Sequence, residues 1–236
     1  DITFLMSDAS LKDGEGWSTK PAISFSCGEF FEKAFDFNQT LTALPAGTYQ
    51  FKGQAFQRPG NTEDVYKAFT AGQDNVNVVI YAGDEEAKIQ NIAAEAQTKK
   101  LGGSETAVGS NPTRYVPNNM QAASFYFAAE LYDNGVVTQL DEDDSKMKVG
   151  MRCEEVQAAY WTIFDNFRLY YYGTMSPDQV TSIRQTVADK AQLDGPFATP
   201  ADVYSLSGIR VRQQATSLDG LPQGIYIVNG YKLIVR

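Results

Sequence analysis

The sequence predicts an all-β protein with a short helix or two, built as a β-sandwich over about residues 1–173 plus a small C-terminal β appendage over 201–236. Two observations predict this class. Aromatic residues make up 12% of the chain, and aromatic side chains favour half-buried, pleated strands. Several segments also alternate apolar and polar residues with a period of two, which indicates strands with one buried face.

The first well-defined pair of strands surrounds a predicted turn at residues 44–47. Before the turn, Phe35, Phe37 and Leu41 share one face of an alternating segment. The sequence Leu-Pro-Ala-Gly then predicts a turn, because proline presets φ at the second position and glycine tolerates positive φ. Residues 49–55 alternate again, with Tyr, Phe, Gly and Ala on one face. We therefore expect a β-hairpin here.

Two long polar segments follow, one over residues 58–72 and the other over 102–117. A strand at Val76–Tyr81 lies between them. After the second segment, Asn118 can cap a short helix that runs to Leu131 with one apolar face. Long loops between compact strands usually carry function, so these two segments are where we expect a ligand to bind.

The closing strand of the sandwich, residues 161–170, carries a carboxylate among apolar residues. In a regular strand, Asp165 shares one face with four of them: Trp161, Ile163, Phe167 and Leu169. A carboxylate on an apolar face must be paired, protonated or bound to a metal. Two interpretations are open: a hydrogen-bonded aspartate that ties this strand to the N-terminal loop, or a ligand of structural calcium.

Calcium is the one cofactor that the sequence suggests. It requires several oxygen ligands. Asp8, Asp13 and Glu15, all in the N-terminal loop, could complete a site with Asp165.

The C-terminal part predicts a linker over 174–200 and then a compact β segment. Residues 225–235 predict a hairpin, because Asn229-Gly230 suits a two-residue type I′ turn. The segment Leu221–Tyr226 repeats the pattern of Leu44–Tyr49, which indicates one turn-to-strand device used twice. A segment this short seldom folds alone, so we expect it to pack against the sandwich.

Composition excludes several classes of function. The net charge of −9 disfavours nucleic acid and membrane surfaces as partners. The chain has no histidine, which excludes Ser-His-Asp and Cys-His catalysis and histidine-based zinc sites. It also has no glycine-rich nucleotide-binding loop. Cys27 and Cys153 are expected to be buried free thiols, with a single disulfide as the alternative.

Two motifs resemble those of a known bacterial module. They are LPAGTYQFKGQAF at 44–56 and WTIFDNFRLYYYG at 161–173, preceded by a loop that contains Gly16-Trp17. Together they are similar to the galactose-binding-like jelly-roll modules of exported Gram-negative proteins. The resemblance implies a jelly-roll sandwich over 1–173 and a non-catalytic role, often the binding of carbohydrate.

The tail from Asp202 to Arg236 resembles the C-terminal sorting-type β domain of exported Gram-negative proteins. This second resemblance implies a secreted or cell-surface location. The chain also begins at Asp1 without an initiator methionine, as a mature or trimmed form would.

We therefore expect a non-catalytic carbohydrate-binding or adhesion protein whose partner is a glycan or another surface polymer. Sugar sites need aromatic faces beside a few planar polar groups. The residues of the N-terminal loop and the two long segments that fit are Trp17, Arg58, Asn61, Tyr66 and Tyr115. Trp17 is a candidate too, although a lone tryptophan beside a glycine turn is more often a core residue than a ligand-binding one.

Two alternative functions stay open. One is a glycoside hydrolase with two carboxylates, for which Glu29, Glu32, Asp64 and Glu130 are candidates. The other is a structural subunit that binds a partner protein at the cell surface through a flat apolar patch.

Overall fold

The computed structural model describes residues 1–181, 201–205, 209–222, 224–228 and 231–235. The chain divides into two compact units, Asp1–Pro177 and Asp178–Arg236. Strands are the dominant element of the described residues, in agreement with the predicted all-β class. Most of the predicted linker, residues 182–200, lies outside the described part of the chain.

The first unit contains strands β1 to β12 and helices α1 and α2, and Thr3–Leu5 form a 3-10 helix. The strands are β1 (Ala22–Ser24), β2 (Cys27–Phe31), β3 (Phe35–Leu44), β4 (Gly47–Pro59), β5 (Val79–Ala82), β6 (Glu85–Lys88), β7 (Gln90–Asn91), β8 (Glu105–Val108), β9 (Arg114–Pro117), β10 (Asp133–Leu140), β11 (Ser145–Cys153) and β12 (Tyr160–Tyr171). The helices are α1 (Thr62–Thr70) and α2 (Met120–Ala128).

Two main sheets organise these strands. The first has the order β1-β2-β12-β4-β10, with β7 paired in parallel to β4. The second has the order β3-β11-β5-β6, and β8 and β9 form a separate two-stranded sheet. Side chains from both main sheets contribute to one hydrophobic core. Consecutive strands therefore often belong to different sheets.

The predicted hairpin around residues 44–47 is wrong, although both of its strands exist. β3 pairs with β11, whereas β4 pairs with β12 and β10, so the turn carries the chain from one sheet to the other. The Tyr49 hydroxyl donates a hydrogen bond to the Pro45 carbonyl at 2.6 Å. The buried Tyr49 side chain thereby fixes the corner and belongs to the main core.

Trp17 lies in the main core and not on the surface. Its side chain is 7% exposed, and its ring stacks on Phe37 with centroids 4.1 Å apart. Phe167 contacts the same indole at 4.9 Å between centroids. The N-terminal loop is thus held against the sheets by one large aromatic side chain, and the core interpretation of Trp17 is confirmed.

A bulge in β12 overturns the predicted shared face of Trp161, Ile163, Phe167 and Leu169. Asp165 pairs with Gln54 and Arg168 with Lys52, so two residues of β12 lie opposite one residue of β4. The extra residue reverses the alternation. Before it, Trp161 and Ile163 face a second hydrophobic cluster that includes residues of α2. After it, Phe167 and Leu169 face the main core.

The two long polar segments contain regular structure, so their prediction as loops is wrong. Residues 62–70 form α1, with Glu63 and Asp64 in its first turn, where acidic residues stabilise a helix. Lys67 forms an ion pair with Glu63 at 3.6 Å. The second segment contains the antiparallel pair β8 and β9.

The predicted helix after the second segment is confirmed as α2, although its cap lies one residue later than expected. Asn119, and not Asn118, is the N-cap, and its side chain accepts a hydrogen bond from the Ala122 N–H at 2.8 Å. Both cysteines are buried and free, as expected.

The second unit contains one described sheet, with the order β14-β13-β15-β16. Its strands are β13 (Ala201–Ser205), β14 (Arg210–Ala215), β15 (Gly224–Val228) and β16 (Tyr231–Val235). Val228 pairs with Tyr231, which confirms the predicted hairpin. The residues of its turn, 229 and 230, lie outside the described part. The Tyr226 hydroxyl donates a hydrogen bond to the Pro222 carbonyl at 2.8 Å. This bond repeats the one from the Tyr49 hydroxyl to the Pro45 carbonyl in the first unit.

No helix in the described segments is long and apolar enough to cross a membrane.

Replacing Trp17 with alanine should lower the free energy of unfolding by about 3–5 kcal/mol, because the change removes a large buried ring from the main core. Denaturant unfolding followed by circular dichroism measures the loss. Phe4→Ala is the matched control, since Phe4 is 80% exposed, and it should change the free energy by less than about 0.5 kcal/mol. Equal, small effects of the two substitutions would contradict the core role of Trp17.

Candidate functional site

The hairpin of β1 and β2 displays an aromatic side chain on a disfavoured backbone. Ser24 pairs with Cys27, so Phe25 and Ser26 form a two-residue turn. Their φ angles of 53° and 57° are both left-handed, as in a type I′ turn. That conformation suits Asn and Gly and costs other residues about 1–2 kcal/mol each. Nevertheless, a phenylalanine occupies the turn, with its side chain 55% exposed.

A cavity of about 360 Å³ lies beside this hairpin, and we call it the Arg58 pocket. It is bounded by β1 and β2, the end of β4, the start of β12 and the start of α2. Its lining combines aromatic with polar side chains: Ser24, Phe25, Glu29, Phe31, Arg58, Asn118, Asn119, Met120, Gln121 and Trp161.

Strand register places three of these residues in one row across the first sheet. Trp161 of β12 pairs with Phe31 of β2 on one side and with Arg58 of β4 on the other. Trp161 is buried, whereas Phe31 is 51% exposed. The Arg58 guanidinium carbon lies 5.0 Å from the centroid of the Trp161 ring. The row therefore presents an aromatic face and a cation on one surface.

Hydrogen bonds fix Trp161 and hold Arg58 only weakly. The Trp161 indole N–H donates to Glu29 Oε2 at 2.7 Å. Arg58 Nη2 donates to the Ala159 carbonyl at 3.5 Å, which is a long hydrogen bond. Burial lowers the pKa of Arg58.

The pocket also lies at the start of α2. Asn118, Asn119, Met120 and Gln121 line it, and Asn119 is the N-cap. The first N–H groups of a helix carry partial positive charge. Arg58 and the α2 start therefore contribute positive charge to the pocket and Glu29 contributes a negative charge. The asparagine and glutamine amides can both donate and accept hydrogen bonds.

A second cavity, of about 570 Å³, is also lined by residues of the hairpin, and we call it the Asp165 cavity. It is lined by Ser10, Leu11, Lys12, Ile23, Ser24, Phe25, Ser26, Asp165 and Asn166. Ser24 and Phe25 line both cavities. The exposed Phe25 ring thus stands at the boundary between them.

Asp165 is a buried carboxyl group at the bulge of β12. Its side chain is 6% exposed, and Oδ1 accepts a hydrogen bond from the Asn166 N–H at 2.6 Å. Burial raises the pKa of Asp165 to about 7, and the charge of Asp8 acts in the same direction, whereas this hydrogen bond and Arg168 oppose the change. Near neutral pH the side chain is therefore present both as a carboxylate, which only accepts hydrogen bonds, and as a carboxylic acid, which can also donate one.

The four predicted calcium ligands are not gathered into a metal site. The Asp8 carboxylate accepts hydrogen bonds from the backbone N–H groups of Lys12, Asp13 and Gly14 at 2.7, 3.0 and 2.6 Å. Asp13 Oδ1 accepts from the Glu15 N–H at 2.9 Å. Across the described segments, no group of three or more His, Cys, Asp or Glu side chains is positioned to hold a metal ion.

The alternative for Asp165, a side-chain hydrogen bond that ties β12 to the N-terminal loop, is not formed among the described residues. The backbone makes the tie, because the Phe167 N–H donates to the Ala9 carbonyl at 2.9 Å. The Asp165 side chain instead bonds to its own strand. The loop itself is closed by Asp8, whose pKa is lowered by its three backbone hydrogen bonds although burial alone would raise it.

Of the five predicted ligand-binding residues, Arg58 alone lines the pocket. Trp17 is in the core. Asn61 precedes α1, and the half-buried Tyr66 of α1 packs against the second hydrophobic cluster. Tyr115 lies on β9, with the Lys100 ammonium group 5.5 Å from its ring centroid. These residues do not form one site.

The candidate carboxylates of a hydrolase are also dispersed. Glu29 lines the Arg58 pocket and Glu130 lines a different cavity. Glu32 accepts a hydrogen bond from the Ala159 N–H at 2.6 Å, and Asp64 lies in the first turn of α1. The structure therefore brings no two of these four residues together in either the Arg58 pocket or the Asp165 cavity.

Sequence reasoning missed Phe25 and Phe31, the two exposed aromatic residues of the pocket. For Phe31 a signal existed, because Phe30 and Phe31 are neighbours on one strand and must point to opposite faces. Phe30 is buried and Phe31 is exposed. For Phe25 there was none, since its turn contains neither Asn nor Gly.

A scan against family models, a search of curated proteins and a search of solved structures each found no match to this chain.

The buried Asp165 should make the stability of the protein depend on pH. Its pKa in the folded state, about 7, exceeds the ordinary value of 3.8, so the folded state retains a proton that the unfolded state has released. Stability should therefore fall as pH rises from about 4 to about 7 and stay at the lower level above that range. Asp165→Asn keeps the side-chain oxygen acceptor and should remove this loss.

Denaturant unfolding of both proteins at pH 4.5 and pH 8 measures the effect. The variant should gain at least about 1 kcal/mol relative to the wild type at the higher pH, which corresponds to a pKa shift of about one unit. Parallel pH profiles of the two proteins would contradict the prediction.

Proposed function

We propose that the first unit is a non-catalytic glycan-binding module and that the Arg58 pocket is its sugar site. One observation carries the proposal: two exposed phenylalanines, Phe25 and Phe31, line a cavity that also contains a cation and several side-chain amides. Aromatic faces stack on the apolar faces of sugar rings, and planar polar groups hydrogen-bond their hydroxyls. Arg58, Asn118 and Gln121 supply such groups.

The backbone of Phe25 supports a functional role for this surface. A bulky residue at positive φ is unusual and costs stability. Its exposed ring recovers little of that cost through burial. Strained residues of this kind concentrate at binding sites, where the side chain is needed despite the cost.

The two adjoining cavities favour a polymeric ligand over a single sugar. Phe25 lines both the Arg58 pocket and the Asp165 cavity. A ligand that stacks on this ring in one cavity has a second, polar cavity beside it, with the hydroxyls of Ser10 and Ser26 and the carboxyl of Asp165 in its lining. A linear glycan of several units fits such a surface.

We further propose that the first unit is a galactose-binding-like jelly roll from an exported, cell-surface protein of a Gram-negative bacterium. The repeated passage of consecutive strands between two sheets supports this fold. The second unit then serves export as a sorting-type domain, a role supported by its four-stranded sheet and by the resemblance of its sequence.

Phe25→Asn should raise stability and weaken glycan binding at the same time. Asparagine tolerates the left-handed turn, so the free energy of unfolding should rise by on the order of 1 kcal/mol. Loss of the stacking ring should reduce retention on immobilised glycans. Affinity electrophoresis in gels that contain polysaccharides measures retention, and denaturant unfolding measures stability.

Phe31→Ala and Phe4→Ala form the matched pair for this test. Both positions carry exposed phenylalanines, but only Phe31 lines the pocket. Phe31→Ala should reduce retention and Phe4→Ala should not. Equal retention of all variants on a glycan that the wild type binds would place the sugar site elsewhere, and release of reducing sugar from that glycan would favour a hydrolase.

A further inference from the structure

Arg58 is a half-buried cation without a carboxylate partner among the described residues. Its hydrogen bond to the Ala159 carbonyl is long, at 3.5 Å. Its Nε atom is buried and has no hydrogen-bond partner in the described structure. No ion pair of Arg58 occurs within the described segments, whereas Arg152 and Arg210 each have a carboxylate within 4 Å.

This arrangement is unfavourable unless something else compensates the charge. Removing a cation from water requires a paired anion or several strong hydrogen bonds. The Trp161 ring beneath the guanidinium supplies a cation–π contact and no acceptor. Burial lowers the pKa of Arg58, and the buried Nε atom has no acceptor among the described residues.

Glu29 lines the same pocket, yet it is engaged elsewhere. One of its carboxylate oxygens accepts the hydrogen bond from the Trp161 indole, and it is not among the ion pairs of the described residues. Glu29 and Arg58 therefore both contact the Trp161 indole, Glu29 at its N–H and Arg58 at its ring. The guanidinium remains available to an anion that enters the pocket.

The overall charge of −9 does not prevent an anionic ligand from binding here. At physiological ionic strength charges are screened beyond about 8 Å, so the local groups determine the interaction. Arg58 and the first N–H groups of α2 favour an anion, whereas the Glu29 carboxylate opposes one and is partly compensated by the hydrogen bond from the Trp161 indole.

We propose that Arg58 binds a carboxylate, so that the ligand of this pocket is an acidic glycan whose sugar units are uronates. This inference rests on the proposed glycan-binding function. The planar guanidinium fork matches the geometry of a carboxylate. Phe25 and Phe31 would stack on the sugar rings while Arg58 selects the acidic group, and the side chains of Asn118 and Gln121 would bond ring hydroxyls.

The test compares acidic glycans with their own neutral forms. Polygalacturonate, polymannuronate and a glucuronate-containing xylan are each immobilised in native and in carboxyl-reduced form, and retention of the full chain is measured on all six. The wild type should be retained on at least one acidic polymer at least tenfold more strongly than on its neutral form. Arg58→Gln should lose roughly tenfold or more of that retention, the loss expected for a hydrogen bond to a charged group.

Two further variants separate recognition from folding. Arg58→Lys keeps the charge but not the fork, and it should recover only part of the retention. Arg114→Gln removes an arginine of β9 that does not line the pocket, and it should leave retention unchanged. Melting temperatures of all variants, measured in parallel, identify any loss that results from unfolding.

The outcomes distinguish the carboxylate-binding role of Arg58 from the proposed glycan-binding function. Equal retention on acidic and neutral forms, or full retention by a folded Arg58→Gln, would overturn the carboxylate role and leave glycan binding intact. Absence of retention on all six polymers and on a panel of neutral glycans would overturn both.

Discussion

The extra residue in β12 between Asp165 and Arg168 determines how the first unit is built. β12 lies between β2 and β4 in the first sheet, so its side chains face both of the regions that must be filled. A regular strand would send Trp161, Ile163, Phe167 and Leu169 to one face. The bulge reverses the alternation, so the first two pack in the second cluster and the last two in the main core. Phe164, which precedes the bulge, also packs in the main core, so the bulge lets β12 fill that core with Phe164, Phe167 and Leu169.

Both candidate cavities depend on the same reversal. Trp161 and Asp165 precede the extra residue and share one face of β12, and each lines one of the two cavities. Asn166 adopts φ of 53° at the bulge, and its amide donates to Gln54 Oε1 at 2.7 Å, which secures the irregular backbone. Asp165 is therefore kept out of the main core and lines the Asp165 cavity, where burial raises the pKa of its carboxyl group.

The sequence predicted the features that depend on local interactions and missed those that depend on distant partners. β3, β4, β12 and the C-terminal hairpin follow from alternation, and the two Tyr-to-Pro contacts are four residues apart in the chain. The choice of sheet for β3 and β4 depends on β10, β11 and β12, which lie about a hundred residues away, so a turn was mistaken for a hairpin. The bulge has only a weak local signal, an asparagine that tolerates positive φ. In the candidate site, Arg58 was predictable because it is a cation at the start of a polar segment. Phe25 was not predictable, because its left-handed turn is one in which phenylalanine is disfavoured.

The strained backbone of Phe25 and the half-buried charge of Arg58 are two departures from local stability in the same pocket. Leu11 and Tyr132 of the first unit also adopt positive φ, but their side chains are buried in the hydrophobic clusters, so packing offsets the cost of the backbone conformation. Around the Arg58 pocket, by contrast, a strained turn exposes one aromatic ring, a strand exposes another, and a half-buried cation forms no ion pair with any described residue. Natural sequences depart from local consistency mainly where function requires it. A ligand with apolar ring faces and a negative group would satisfy all three departures at once, since it would cover Phe25 and Phe31 and neutralise Arg58.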